Sequence, residues 1–207
     1  MRIQNLHIAA FATATALALL PASSSAQGRL RGVARLGLEY GGERVVQFQY
    51  DDGTTPDVTA GGGLLITGGG VIGLFTRGAH ALDAQVNVGF KYRTIPPATN
   101  QEVTWLRFPL EGMLFYRTPV GLRLGAGATV HLHNVMSTSG EVLNGRLQFK
   151  NNPGLLMQAE YVRSNVAFDL RYTALEYEVE SGGTGTVGAS SIGAGLSFFF
   201  GPKPSSP

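Results

Sequence analysis

His131 and His133 lie two residues apart in a segment where apolar and polar residues alternate, residues 122–133. On a strand that spacing puts both imidazoles on one face, where they would ligate a metal if a third donor converged. The chain contains no cysteine, and no third ligand is identifiable. Both histidines are therefore read as polar packing, and neither a metal nor any other cofactor is expected. His133 with Ser137 or Ser139 and an acid such as Glu141 would supply the base, nucleophile and orienting acid of an acyl-transfer site. The spacing matches no such motif, and Ser137 is expected in a loop.

Glycine triplets at 61–63 and 68–70 invite a phosphate-cradle reading, but no Gly-Lys-Ser/Thr follows and no helical pattern begins there. In a strand these glycines instead admit bulky neighbours or bend the chain. Asp51, Asp52 and Asp57 lack the spacing of a calcium loop and read as a solvated turn.

The remaining polar chemistry is a set of charges that recur on one face of alternating segments. Arg35, Lys91, Arg93, Arg107, Arg123 and Arg171 stand against Glu39, Asp83, Glu111, Glu160 and Asp169. Such a near-balanced set suits pairing across a narrow interior. The segment 80–93 shows the pattern most clearly, with Leu82, Ala84, Val86, Val88, Phe90 and Tyr92 alternating with Asp83, Gln85, Asn87, Gly89, Lys91 and Arg93. One face tolerates hydrocarbon and the other is polar.

Eight segments of this kind are expected: 32–40, 61–75, 80–93, 104–116, 122–133, 154–162, 165–173 and 191–200. Connections alternate between short (76–79, 117–121, 163–165) and long (41–59, 95–103, 137–153, 176–190). That alternation predicts an even-stranded, up-and-down antiparallel transmembrane β-barrel with short periplasmic turns and long outer loops. A soluble sandwich or lipocalin-like barrel would bury the apolar face and expose the charges. The near-balanced charges argue against it, as do aromatics near strand ends, among them Trp105 and Phe115 with Tyr40, Tyr92, Tyr116 and Phe200, which are expected to form interfacial girdles.

Composition agrees. Of 207 residues, 29 are glycine and 14% are charged. The mean hydropathy of +0.07 leaves no room for several helical spans. Residues 1–26 carry one cation, Arg2, an apolar run from Ile8 to Leu20, and small residues ending at Ala26. They predict a cleaved export signal. Removing Arg2 from 16 basic residues leaves 15 against 14 acidic ones, so no nucleic-acid partner is implied. With no cysteine there is no disulfide framework.

The run Thr104-Trp105-Leu106-Arg107-Phe108-Pro109-Leu110 followed by 117–128 (RTPVGLRLGAGA) resembles the strand, turn and glycine-rich strand of small outer-membrane β-barrel domain proteins, the eight-stranded porin-like or OmpX-like barrels. The terminal strand 191–200 is similar to the signal read by the barrel assembly machinery, with Gly195, Phe198 and Phe200 at the expected offsets. It departs from that pattern by lacking a polar residue at Gly193 and by carrying a tail after the final aromatic.

The expected organisation is a signal peptide (1–26), an outer-membrane barrel (27–200) and a short periplasmic tail (201–207). Outer-membrane lipid, lipopolysaccharide and the assembly machinery are the expected partners, and any outer-loop ligand is left open. Function is read as structural, adhesive or protective, around a side-chain-filled polar lumen. A narrow solute channel is the alternative, and a lipid A-modifying enzyme the less favoured one. Pro109 is expected at a bulge, since proline cannot donate to a ladder. Arg123 and Glu160, both near the periplasmic end and facing inward, are expected to pair.

Overall fold

A computed structural model describes residues 30–47, 57–95, 101–140 and 144–201. The expected export signal, Asp51, Asp52, Glu141 and the tail beyond Gly201 lie outside the described residues.

The regular elements are strands: β1 (Arg31–Tyr40), β2 (Arg44–Gln47), β3 (Asp57–Thr59), β4 (Gly63–Arg77), β5 (His80–Ile95), β6 (Gln101–Arg117), β7 (Leu122–Gly140), β8 (Gly145–Phe149), β9 (Pro153–Arg163), β10 (Val166–Ala174), β11 (Glu176–Ser181), β12 (Thr186–Gly188) and β13 (Ser191–Phe200). Eight of them, β1, β4, β5, β6, β7, β9, β10 and β13, pair in chain order, and β13 pairs back with β1 to close an antiparallel barrel. These are the eight segments expected from periodicity. Among the described residues each of these eight wall strands is paired on both sides, so the barrel wall itself presents no edge strand.

Alternation fixes the faces. On β10, Val166, Phe168, Leu170 and Tyr172 are exposed, while Ala167, Asp169, Arg171 and Thr173 are buried. Val86, Val88, Leu114, Leu124, Met157 and Ile192 continue the exposed apolar surface around the wall. Along β6 this outer face runs from Leu106 to Tyr116. At about 3.4 Å per residue and a tilt of about 40° it spans about 26 Å, close to the height of a transmembrane barrel's apolar band.

The wall is taller than the sequence suggests. β5, β6 and β7 have 16, 17 and 19 residues, and much of the expected outer loops is strand. β8 runs on into β9 after a break at 150–152, β10 into β11 across Leu175, and β12 into β13 across 189–190. β8 pairs with the upper part of β7 and with β11, and β11 pairs with β12. The breaks let the barrel bend and continue beyond the apolar band.

One of these irregularities redirects the paired histidines. His133 has a φ of 46°, and with Asn134 it opposes the single residue Arg107 at a bulge in the β6–β7 ladder. The extra residue reverses the alternation. His131 is buried in the lumen, whereas His133 is exposed and stands edge-on to Phe108. The expectation that both face inward is thus corrected. Pro109 itself is not the bulged residue: it lies opposite His131, and it interrupts the β5–β6 ladder between Val88↔Leu110 and Lys91↔Arg107 without a register change. Lacking an N–H, it costs that ladder a bond.

Two expected girdle aromatics are also corrected. Trp105 and Phe115 are fully buried inside the barrel, whereas Tyr40, Tyr116, Tyr161, Tyr172, Phe198 and Phe200 do face outward.

Candidate functional site

The lumen collects ten charged side chains from six of the eight wall strands. Arg35 and Glu39 come from β1, Asp83 and Lys91 from β5, Arg107 and Glu111 from β6, Arg123 from β7, Glu160 from β9, and Asp169 and Arg171 from β10; all are at most 7% exposed. Each stands at inward parity on its strand, so the wall's register alone brings them together.

Near the short-turn end, Arg123 pairs with Glu160, which faces it directly across the ladder, and lies 3.6 Å from Asp83. Its guanidinium sits over the Phe115 ring at 4.1 Å and the Phe199 ring at 5.1 Å. Gln158 donates to Glu160 at 2.8 Å. In the middle, Arg35 grips both carboxylate oxygens of Asp169, Nη2 donating to Oδ1 at 2.6 Å and Nε to Oδ2 at 3.1 Å, the bidentate geometry that makes such pairs strong. Space for that guanidinium comes from glycines: a Cβ at Gly37 or Gly195 would lie 2.7 or 2.8 Å from it. Above, Arg171 bridges Glu111 and Glu39, and Asn87 donates to Glu111 at 3.2 Å.

At the outer end of this ladder the charges turn to backbone. Lys91 pairs with Glu39 at 2.5 Å and donates to the carbonyl of Gly61 at 2.5 Å. Arg107 donates to the carbonyls of Ala60 and Gly62 at 2.6 and 2.7 Å. Among the described residues Arg107 has no carboxylate partner. Three successive carbonyls of the β3–β4 connection are thereby held down into the lumen by two cations. The segment is also tied at its own amides, Ala60 to the Glu43 carbonyl and Gly61 to that of Gly41.

An apolar cap lies over this plug. Val58, Val103, Trp105, Met136, Phe149, Leu175 and Tyr177 pack with Ala60 and Ala189. Trp105 stacks on Phe149 at 5.2 Å, donates to Asn134 at 2.7 Å, and carries Arg107 over its ring at 4.7 Å. Tyr177 meets Nδ1 of His131 at 2.5 Å. Burial raises the Tyr177 phenol above its ordinary range, so it stays neutral. At the other end Val33, Val71, Ala167 and Phe199 make a smaller apolar cluster. Charges fill the middle of the lumen as expected, and apolar clusters, which the sequence reading did not include, lie at both ends.

Sequence reasoning missed the cap and the carbonyl plug. Residues 103, 105, 107, 109, 111, 113 and 115 share one parity on β6, so the position of Arg107 and Glu111 already placed Trp105 and Phe115 inside. Nothing comparable marks Phe149 or Tyr177. His133 and Ser137 lie four positions apart on one extended strand, about 13 Å, which removes the hydrogen bond that an acyl-transfer set needs. Asp57 pairs with Arg44 at 2.8 Å. Of the terminal residues, Phe198 and Phe200 face outward and Gly195 faces Arg35.

A closed eight-stranded antiparallel barrel with its charges inside and its hydrocarbon outside is the class these observations define. No family model matches the chain, and no curated protein matches it. Among solved structures it is similar to Ail, the attachment invasion locus protein of Yersinia pestis, at 12% identity over 83% of this chain and 99% of that one, with a TM-score of 0.45. It is also similar to the outer membrane protein AlkL (16% identity, 90% of this chain and 97% of that one, TM-score 0.43) and to Neisserial surface protein A (13%, 82% and 96%, 0.42).

Proposed function

We propose that this chain is an integral outer-membrane barrel with a closed lumen, non-catalytic, whose wall continues outward as a rigid platform for a structural, adhesive or protective role. The observation that carries this reading is the inversion of a soluble barrel: ten charged groups are buried inside while Leu38, Val88, Leu170 and Ile192 are each more than half exposed outside. A continuous apolar band of this height on a water-facing surface would drive association, whereas hydrocarbon accepts it. The plug of Ala60, Gly61 and Gly62 carbonyls under the Trp105 cap favours a closed barrel over the narrow-channel reading. On this account lipid and lipopolysaccharide surround the wall, the assembly machinery inserts it, and a cleaved signal at 1–26 exports it.

Topology provides the test, because the chain has no cysteine of its own. A single cysteine at Gly183, in the outer turn between β11 and β12, is expected to react with a membrane-impermeant maleimide on intact cells. One at Ala79, in the β4–β5 turn, is expected to react only after the outer membrane is permeabilised. Equal labelling of both on intact cells would overturn the placement.

A further inference from the structure

The exposed charges of the barrel are divided by end. Around the outer extension lie Glu43, Glu102, Glu176, Glu178 and Glu180, with Arg44, Arg146 and Lys150 among them. At the short-turn end stand Arg31, Arg77, Arg117 and Arg163, and among the described residues no carboxylate is exposed there: Asp83 and Glu160 are turned into the lumen.

One of these cations has been brought outside by a specific device. On β4 the outward positions are even-numbered up to Ile72; the ladder with β5 then shifts register between Gly73 and Phe75. That bulge reverses the alternation, so Phe75 and Arg77 face outward instead of inward. They meet their counterparts on β5 directly, Phe75 opposite Leu82 and Arg77 opposite His80, and Leu82 is in turn opposite Tyr116 on β6. Together with Ala81 these side chains line an open cavity of 380 Å³ on the outer wall.

The cavity is amphipathic along the barrel axis. Phe75, Leu82 and Tyr116 form its floor, one pleat above Arg77 and His80, a step of about 7 Å. His80 is held in place by Tyr116, whose hydroxyl is 2.7 Å from Nδ1 and whose ring stacks on the imidazole at 5.7 Å and 17°. In the tautomer whose Nδ1 accepts the phenol proton, the ring proton of His80 is on Nε2 and open to an acceptor. The Arg77 guanidinium has no ion-pair or hydrogen-bond partner among the described residues. A free guanidinium beside an imidazole donor, under an apolar shelf, matches a phosphodiester with hydrocarbon attached.

We propose that this cavity binds an anionic phospholipid of the periplasmic leaflet, its phosphate on Arg77 and His80 and its first acyl carbons against Phe75, Leu82 and Tyr116. The proposal rests on the membrane placement given above. The level is consistent with it, since the cations lie at the turn end of the apolar band, where headgroups of that leaflet would lie.

Native mass spectrometry of the refolded barrel, with phosphatidylglycerol or phosphatidylcholine added to the detergent, is the test. Wild type is expected to retain phosphatidylglycerol in preference to phosphatidylcholine. Replacing Arg77→Gln together with His80→Gln is expected to weaken that retention about tenfold, the loss of a charge-assisted contact. Arg163→Gln, an exposed cation at the same end with no such cavity, is expected to leave it intact. Equal retention of the two lipids, an unaffected double variant, or an equal loss in Arg163→Gln would each overturn the site. Heat-dependent migration of the same protein in lipid separates the two readings. A heat-modifiable barrel indifferent to headgroup overturns the cavity alone, whereas a chain that never becomes heat-modifiable overturns both.

Discussion

Arg123 and Glu160 face each other directly across the β7–β9 ladder and pair inside the lumen, with the Arg123 guanidinium 4.1 Å from the centre of the Phe115 ring. A buried pair of this kind adds little over an apolar replacement, yet losing one partner strands the other's charge. Arg123→Leu is expected to cost about 3–5 kcal/mol by leaving Glu160 and Asp83 uncompensated. Guanidinium unfolding in detergent measures it. The double variant Arg123→Leu with Glu160→Leu should recover part of the loss, and an Arg123→Leu barrel as stable as wild type would refute the pairing.

Gly195 separates packing from assembly. A side chain there would press on Arg35 and its grip on Asp169. Gly195→Val is expected to destabilise the barrel by about 1–3 kcal/mol even when it refolds in detergent with no assembly machinery present. Normal stability in detergent with poor assembly in cells would assign Gly195 to the assembly signal alone.

Trp105 is the sole tryptophan and is fully buried in the cap. Its emission should be blue-shifted in lipid vesicles, and lipids brominated on their acyl chains should leave it unquenched. Strong quenching would return Trp105 to the lipid-facing girdle.

The plug makes a local prediction. Arg107→Ala removes the donors held by the Ala60 and Gly62 carbonyls. Hydrogen exchange of the Ala60 and Gly61 amides should accelerate by about tenfold or more, since opening this segment then breaks two fewer charge-assisted bonds. Exchange in the β9–β10 hairpin should not change. Uniform acceleration would mean that Arg107 supports the whole barrel and not the plug.

Most of the wall was legible because a period of two is written in residue types that face two different solvents. The eight strands, the short turns and all ten lumen charges follow from that alternation, as does the opposition of Arg123 and Glu160. What escaped it were places where the period breaks. The extra residue at His133–Asn134 carries no glycine to announce a left-handed backbone, and one such residue reverses every assignment after it. Phe75 and Arg77 moved outside for the same reason. The outer extension was hidden by its brevity: β8, β11 and β12 have 5, 6 and 3 residues, too few for a period of two to stand out, and their pairing depends on long-range partners. The plug uses backbone carbonyls, which no residue type reports.

The central claim is a folded barrel whose lumen is closed. Planar-bilayer conductance of the refolded protein tests it most directly, with the heat-dependent shift in gel mobility confirming that the inserted protein is folded. The account predicts a heat-modifiable protein that inserts and stays electrically silent. Discrete, reproducible conductance steps from the wild-type chain would contradict it and establish a channel in place of a plugged barrel.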